Sequence, residues 1–341
     1  MEPEMNLAIQ QIMELIEGKK TILKEKTFSN KDTGDVYPKE AVHKIIEILN
    51  MAIQKLSHTL TKMTILLSER PLPKNEDLVP LYSELCLEIN QFCEIFTTMY
   101  PIHCGVLLKQ TYKQACVDIL ESIGEVLNEI CTDVYNKEKL LLANGCVWES
   151  CRKYQALPRD MIQLCLAKCQ TEYDALVDAE EELKNEIKEH QESDFSFDES
   201  SWTEDDLKLL TPACGLIKTA YSICKKLKES IHRSGHLDTK ERVDQIDQTA
   251  MAVQTLSPSI DDLVTSLYPP LVKKQVYTST KALLSALDSI LSMLPSVHFI
   301  LETDTWIAFL QKASEHNSTK LLDNLAYDTD VTSQMEELNI T

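Results

Sequence analysis

Apolar residues recur along the chain at alternating spacings of three and four, the signature of helices that bury one face. Ile9, Ile12, Met13 and Ile16 predict a first helix over about 4–26. A polar loop with Ser29, Asn30, Asp32 and Gly34 follows. Pro38 then suits the first position of a second helix, where its missing N–H costs nothing. That helix carries Val42, Ile45, Ile46, Leu49, Ile53, Leu56, Leu60, Met63 and Leu67. Its unbroken stripe of about thirty residues corresponds to a rod of about 45 Å. Arg70-Pro71-Leu72-Pro73 stops it, and Asn75 or a neighbour starts the next, with Leu81, Leu85, Ile89, Phe92, Phe96 and Met99 facing inward up to Tyr100-Pro101. Further helices are expected over Gly105–Val134, over 137–155, and from Pro158 to about 190.

Beyond that point the composition changes. Residues 178–206 hold thirteen carboxylates against Lys184 and Lys188, and 190–201 has serines but no aliphatic period. This stretch reads as an acidic linker. Thr203-Glu204-Asp205-Asp206 places a hydroxyl cap and an acidic first turn on the following helix, in which Pro212 is expected to produce a kink or mark the true start. Ser234-Gly235 closes it. A helix over about 238–256 comes next, then one capped by Ser259 and interrupted at Tyr268-Pro269-Pro270. A helix resumes through Val276 to Leu291, and Trp306, Ile307 and Leu310 anchor a last one. The expected architecture is all-α, two antiparallel up-and-down helical bundles joined by an acidic linker. The expected division is an N-terminal bundle at 1–190, a linker at 191–202, a C-terminal bundle at 203–327 and a flexible tail at 328–341.

Charge narrows the partners. A net charge of −20 disfavours nucleic acid and anionic membrane, both polyanions, and favours protein surfaces with basic or mixed charge. No run of apolar residues approaches a membrane span, and Met1-Glu2-Pro3-Glu4-Met5 lacks a secretory pattern, so an intracellular protein is expected. The eleven cysteines then read as free thiols that serve as small apolar groups, and the sequon Asn317-Ser318-Thr319 carries no meaning.

Signatures of catalysis are missing. Only seven glycines occur, with no phosphate loop, His-Glu-x-x-His, Gly-x-Ser-x-Gly or Cys-x-x-Cys. Cys165-x-x-x-Cys169 sets two thiols on one helix face, but the same spacing continues a core stripe between Ile162 and Tyr173 and no further ligands stand at suitable spacing. His103-Cys104 lacks an orienting third group. Glu180-Glu181-Glu182 reads as a solvated helix face rather than an acid–base pair. No catalytic, cofactor or metal residues are nominated.

The candidate partner-binding residues are Glu180, Glu181, Glu182, Asp194, Phe195, Phe197, Asp198, Glu199 and Trp202, acids interleaved with aromatics that bury much area at low entropy cost. The alternative for Phe195, Phe197 and Trp202 is that they pack back onto the bundles. Ser196-x-x-Glu199 and Thr203-x-x-Asp206 match acidophilic kinase sites; the plain alternatives are linker polarity and a helix cap. The helices at 38–69 and 76–100 form a helix-loop-helix with no basic segment ahead of it, so it could only poison DNA-reading partners.

Pro71-Leu72-Pro73, Trp148-Glu149-Ser150-Cys151, Leu157-Pro158-Arg159-Asp160, Trp202-Thr203-Glu204-Asp205-Asp206 and above all Ser257-Pro258-Ser259-Ile260-Asp261-Asp262-Leu263 with Ser266-Leu267-Tyr268-Pro269-Pro270 resemble the cyclin-D-binding protein 1 family. That family is also known as Grap2-and-cyclin-D-interacting or maternal Id-like protein. The resemblance implies vinculin- or catenin-like bundles. It also implies binding of cyclin D and its kinase complex, contact with adaptor proteins, negative regulation of cell-cycle progression, Id-like antagonism of helix-loop-helix transcription factors, and residence in cytoplasm and nucleus. A cytoskeletal or junctional adaptor built on the same bundles is the alternative. An enzyme with a degenerate site is a third.

Overall fold

The computed structural model describes residues 3–25, 39–99, 104–192 and 202–338. Eleven α-helices account for nearly all of the described residues, and none of these residues is in a strand. In chain order they are α1 (Pro3–Glu25), α2 (Lys39–Ser68), α3 (Asn75–Thr97), α4 (Val106–Asp133), α5 (Lys137–Gln155), α6 (Met161–Glu192), α7 (Glu204–Ser234), α8 (Lys240–Val253), α9 (Leu256–Leu267), α10 (Lys273–Met293) and α11 (Trp306–Leu338). None of them is long and apolar enough to cross a membrane.

Two compact units result: Met1–Leu164 with Leu237–Val243, and Cys165–His236 with Asp244–Thr341. In the first, α1 packs on α3 and α4, α2 packs on α3, α4 and α5, and α4 packs on α5. The α2 stripe at Leu49, Ile53, Leu56, Leu60, Met63 and Leu67 is buried against Leu85, Ile89, Phe92 and Phe96 of α3 and other core residues. Gly105 precedes α4 with φ 84°, a left-handed backbone that glycine adopts without steric cost. Lys109, one turn on, is buried; its Nζ donates to the Met99 carbonyl just past α3 and lies 5.5 Å from the Phe96 ring centroid. A buried ammonium therefore satisfies a carbonyl at a helix C-terminus, where the macrodipole favours a cation.

In the second unit α7 packs on α11 and α9, α10 on α9 and α11. α6 is tied to α7 through Tyr173 and Tyr221, whose rings meet edge to face at 5.8 Å, and through a hydrogen bond from Lys228 Nζ to Gln170. It is tied to α9 by the buried Glu172, whose Oε2 accepts from the Ser257 backbone N–H at 3.0 Å and from the Ser257 hydroxyl at 2.6 Å. A carboxylate from one helix thereby satisfies a free N–H in the first turn of another. Glu172→Gln keeps an acceptor and loses the charge, so it is expected to cost about 1 kcal/mol, read as a lower urea midpoint with an unchanged slope.

Several boundaries differ from the sequence pattern. α6 begins at Met161 rather than Pro158, because Asp160 Oδ1 accepts from the Gln163 N–H at 2.9 Å and so fixes the cap. The break before α9 falls at Gln254–Thr255, and Ser259 lies inside α9, where its hydroxyl donates to the Thr255 carbonyl at 2.8 Å instead of capping. α7 runs through Pro212 from a start at Glu204. Pro38 and His103 lie outside the described residues.

Candidate partner-binding surface

The acidic half of α6 is two-sided. Leu176, Glu180 and Leu183 follow a core spacing and are buried, while Asp178, Glu181, Glu182, Glu186 and Glu189 are exposed. Glu180 thus departs from the solvated face read from the run of three glutamates: its position relative to the flanking leucines turns it inward. At 4% exposure it sits 2.7 Å from Lys184 Nζ and 3.6 Å from Lys218 Nζ of α7. The hydrogen bond to Glu180 is the main cause that raises the Lys184 ammonium above its ordinary range, and burial followed by Glu180 raises the Tyr221 hydroxyl. Glu180 therefore serves the packing of α6 on α7, and the outward acids are Glu181 and Glu182.

Trp202 packs back onto its own unit. It is 7% exposed, its Nε1–H donates to the Leu267 carbonyl at 2.6 Å, and its ring stacks on Tyr268 at 6.3 Å and meets the His190 ring edge-on at 5.4 Å. The bonded carbonyl is an orphan of the α9 C-terminus, so the indole both fills space and caps. Tyr268 in turn lies near Glu182 and Glu186; burial first, then these carboxylates, pushes its hydroxyl up. The two family-like segments Trp202–Asp206 and Ser266–Pro270 are thereby brought together at one end of α9.

Thr203 is exposed, and its hydroxyl is engaged in a capping box. It accepts from the Asp206 N–H at 3.2 Å and donates to Asp206 Oδ2 at 2.7 Å, while that carboxylate accepts from the Thr203 N–H at 2.9 Å. Asp194, Phe195, Ser196, Phe197, Asp198 and Glu199 lie outside the described residues.

The thiols occupy the core. Cys165 and Cys169 are fully buried, and the hydrogen bond between the Cys165 thiol and Cys169, then burial, drives the Cys165 thiol well above its ordinary range. Burial does the same at Cys116 and Cys224 and raises Cys93 to about 11. Such thiols are poor nucleophiles and poor metal ligands. Among the described residues no group of three or more His, Cys, Asp and Glu is arranged to hold a metal ion.

Two features of the first unit escaped the sequence reading. Trp148 of α5 is half exposed with its Nε1–H bonded to Thr61 of α2 at 3.0 Å, beside a shallow depression lined by His58, Cys151 and Arg152. Between α2 and α3 lies a narrower furrow of about 180 Å³ lined by Ile48, Met51, Ala52, Lys55, Glu88, Gln91 and Ile95. Glu88 was legible in part, since it stands three residues after Leu85 on the inward side of α3.

With this geometry in place, comparison with known proteins gives a consistent result. The N-terminal model of the Grap2 and cyclin-D-interacting family matches residues 48–189, and its C-terminal model matches 178–292. A cyclin-D1-binding protein 1 homolog of Danio rerio is 28% identical over 299 residues, 83% of this chain and 87% of the relative. The homolog of Xenopus laevis is 29% identical over 80% of this chain and 87% of its own. Cyclin-D1-binding protein 1 of Homo sapiens is 26% identical over 79% and 81%. These relatives are named as binding proteins. The two matched models, which together run from α2 into α10 and take in both compact units, show that the chain belongs to the Grap2 and cyclin-D-interacting family.

Proposed function

We propose that this chain is a non-enzymatic interaction protein that binds cyclin D and its kinase complex and thereby restrains cell-cycle progression. The observation that carries this reading is the naming of relatives that align with about four fifths of the chain as cyclin-D1-binding protein 1. The helical bundles support it, because they offer long, charged outer faces. Antagonism of helix-loop-helix transcription factors, contact with adaptor proteins, modification at Ser196 or Thr203, and residence in cytoplasm and nucleus belong to the same reading. The α2–α3 hairpin bears on the antagonism, because its apolar stripes are buried within the first unit. A partner that took those stripes would first have to open the unit, and hydrogen exchange on adding a helix-loop-helix domain reads that opening in α2 and α3.

The acids at Glu181 and Glu182 and the segment 191–201 are proposed as a docking site. The full chain is expected to retain purified cyclin D1 in a pull-down, and deletion of 191–201 to weaken that retention while leaving the helical circular dichroism unchanged. Failure of the intact chain to retain cyclin D1 refutes the reading; undiminished retention by the deletion removes only the segment.

A further inference from the structure

The furrow between α2 and α3 combines two features that rarely coexist. Four of its lining residues are apolar, Ile48, Met51, Ala52 and Ile95, with Ile48 and Met51 exposed, Met51 by 60%; Lys55 and Gln91 add polar groups to the walls. Its lining also includes Glu88, which is only 8% exposed and whose Oε2 has no hydrogen-bond partner among the described residues. Burial is the largest influence on this carboxyl and raises its pKa; Glu84 adds to that, while the Thr59 hydroxyl, Lys55 and Lys62 oppose it. Thr59, Lys55 and Lys62 of α2 act on this carboxyl, yet its Oε2 is left as an unused acceptor, which costs stability. An incoming donor would complete the hydrogen bonds of this carboxyl.

The shape of the missing piece follows from the walls. Ile48, Met51, Ala52 and Lys55 repeat at helical spacing on α2, and Glu88, Gln91 and Ile95 do so on α3. A furrow between two packed helices is the natural seat of a third helix, with apolar residues one turn apart filling it. The charge of the occupant follows from Glu88 and from the net charge of −20, both of which favour a cation. We propose that this furrow is the docking site for an amphipathic helix of a partner protein that carries apolar side chains one turn apart and, between them, a lysine or arginine that reaches Glu88. The surface is independent of the acidic segment, and its identity does not depend on which protein supplies the helix.

The test uses the full chain and a fluorescein-labelled helical peptide of about four turns. The peptide has leucines three and four residues apart on one face with an arginine among them; its comparator has norleucine in place of arginine. By anisotropy the arginine peptide is expected to bind at least about tenfold more tightly than the norleucine peptide. Glu88→Gln is expected to abolish that preference, and Met51→Glu, on the exposed wall, to weaken both peptides. No saturable binding of the arginine peptide, equal binding of the two peptides, or indifference of both to Met51→Glu overturns the proposal. Folding of the variants has its own signature. The folded chain holds the Glu88 proton more tightly than the unfolded chain, so the carboxylate destabilises the fold at neutral pH. Glu88→Gln is therefore expected to raise the urea midpoint at pH 7, with the gain shrinking as pH falls towards the ordinary glutamate value of 4.5.

Discussion

Trp202→Ala is expected to lower the unfolding free energy of the second compact unit by about 3–4 kcal/mol. The substitution removes a buried indole and the stack on Tyr268, and leaves the Leu267 carbonyl at the end of α9 without its donor. Trp202→Phe separates these effects. It keeps a ring for Tyr268 and His190 and loses the N–H, so about 1–2 kcal/mol is expected. Urea unfolding followed by circular dichroism reads both. The comparison also decides what the aromatic does. An anchor costs stability when truncated, whereas a residue held for a partner costs binding and leaves the midpoint where it was; a loss below about 1 kcal/mol for Trp202→Ala is incompatible with the anchoring described above.

Gly215→Leu is expected to cost about 2–3 kcal/mol. Gly215 lies where α7 meets α11, and a Cβ there would fall 2.3 Å from Asn317 Oδ1 and 2.7 Å from its Nδ2. Asn317 can swing away only by giving up the hydrogen bond that its Nδ2 donates to the Ala313 carbonyl at 2.8 Å. Helix propensity alone predicts the opposite sign, a gain of about 1 kcal/mol on replacing an interior glycine. The direction of the change thus tests close approach against propensity. Pairing Gly215→Ala with Asn317→Ala extends the test: if the contact is the cause, the double variant recovers stability beyond the sum of the single changes. Strict additivity excludes it.

Most of the helical framework was legible because 3-4 spacing is a direct consequence of burying one face. The ranges expected for α1, α4 and α5 agree with the structure within a residue or two, and Thr203 was recognisable as a cap from Asp206 three residues on. Failures came where the deciding partner is local and polar, or distant in sequence. Asp160 starts α6 through one hydrogen bond, although Pro158 is the more conspicuous signal. The break at Gln254–Thr255 carries neither glycine nor proline, so Pro258-Ser259 drew the boundary too late. Glu180 looked like its neighbours in a run of acids, yet one helical register separates an ion-paired interior group from two exposed ones. Glu172 gave no sign of its role, since Ser257 lies 85 residues away. The furrow at Glu88 was invisible for the same reason: its walls belong to two helices, and an unsatisfied oxygen is a property of packing, not of spacing.

The burial of the thiols makes the protein a reporter of its own fluctuations. Cys146 lies open to solvent, whereas Cys93, Cys104, Cys116 and Cys151 are enclosed in the first unit and Cys165, Cys169 and Cys224 in the second. An alkylating reagent reaches the enclosed sulfurs only while the surrounding helices are apart, so the rate of modification measures how often each half breathes. Peptide masses separate the two sets without any engineered label. If a bound partner clasps one half, the sulfurs of that half fall silent while the others keep their pace.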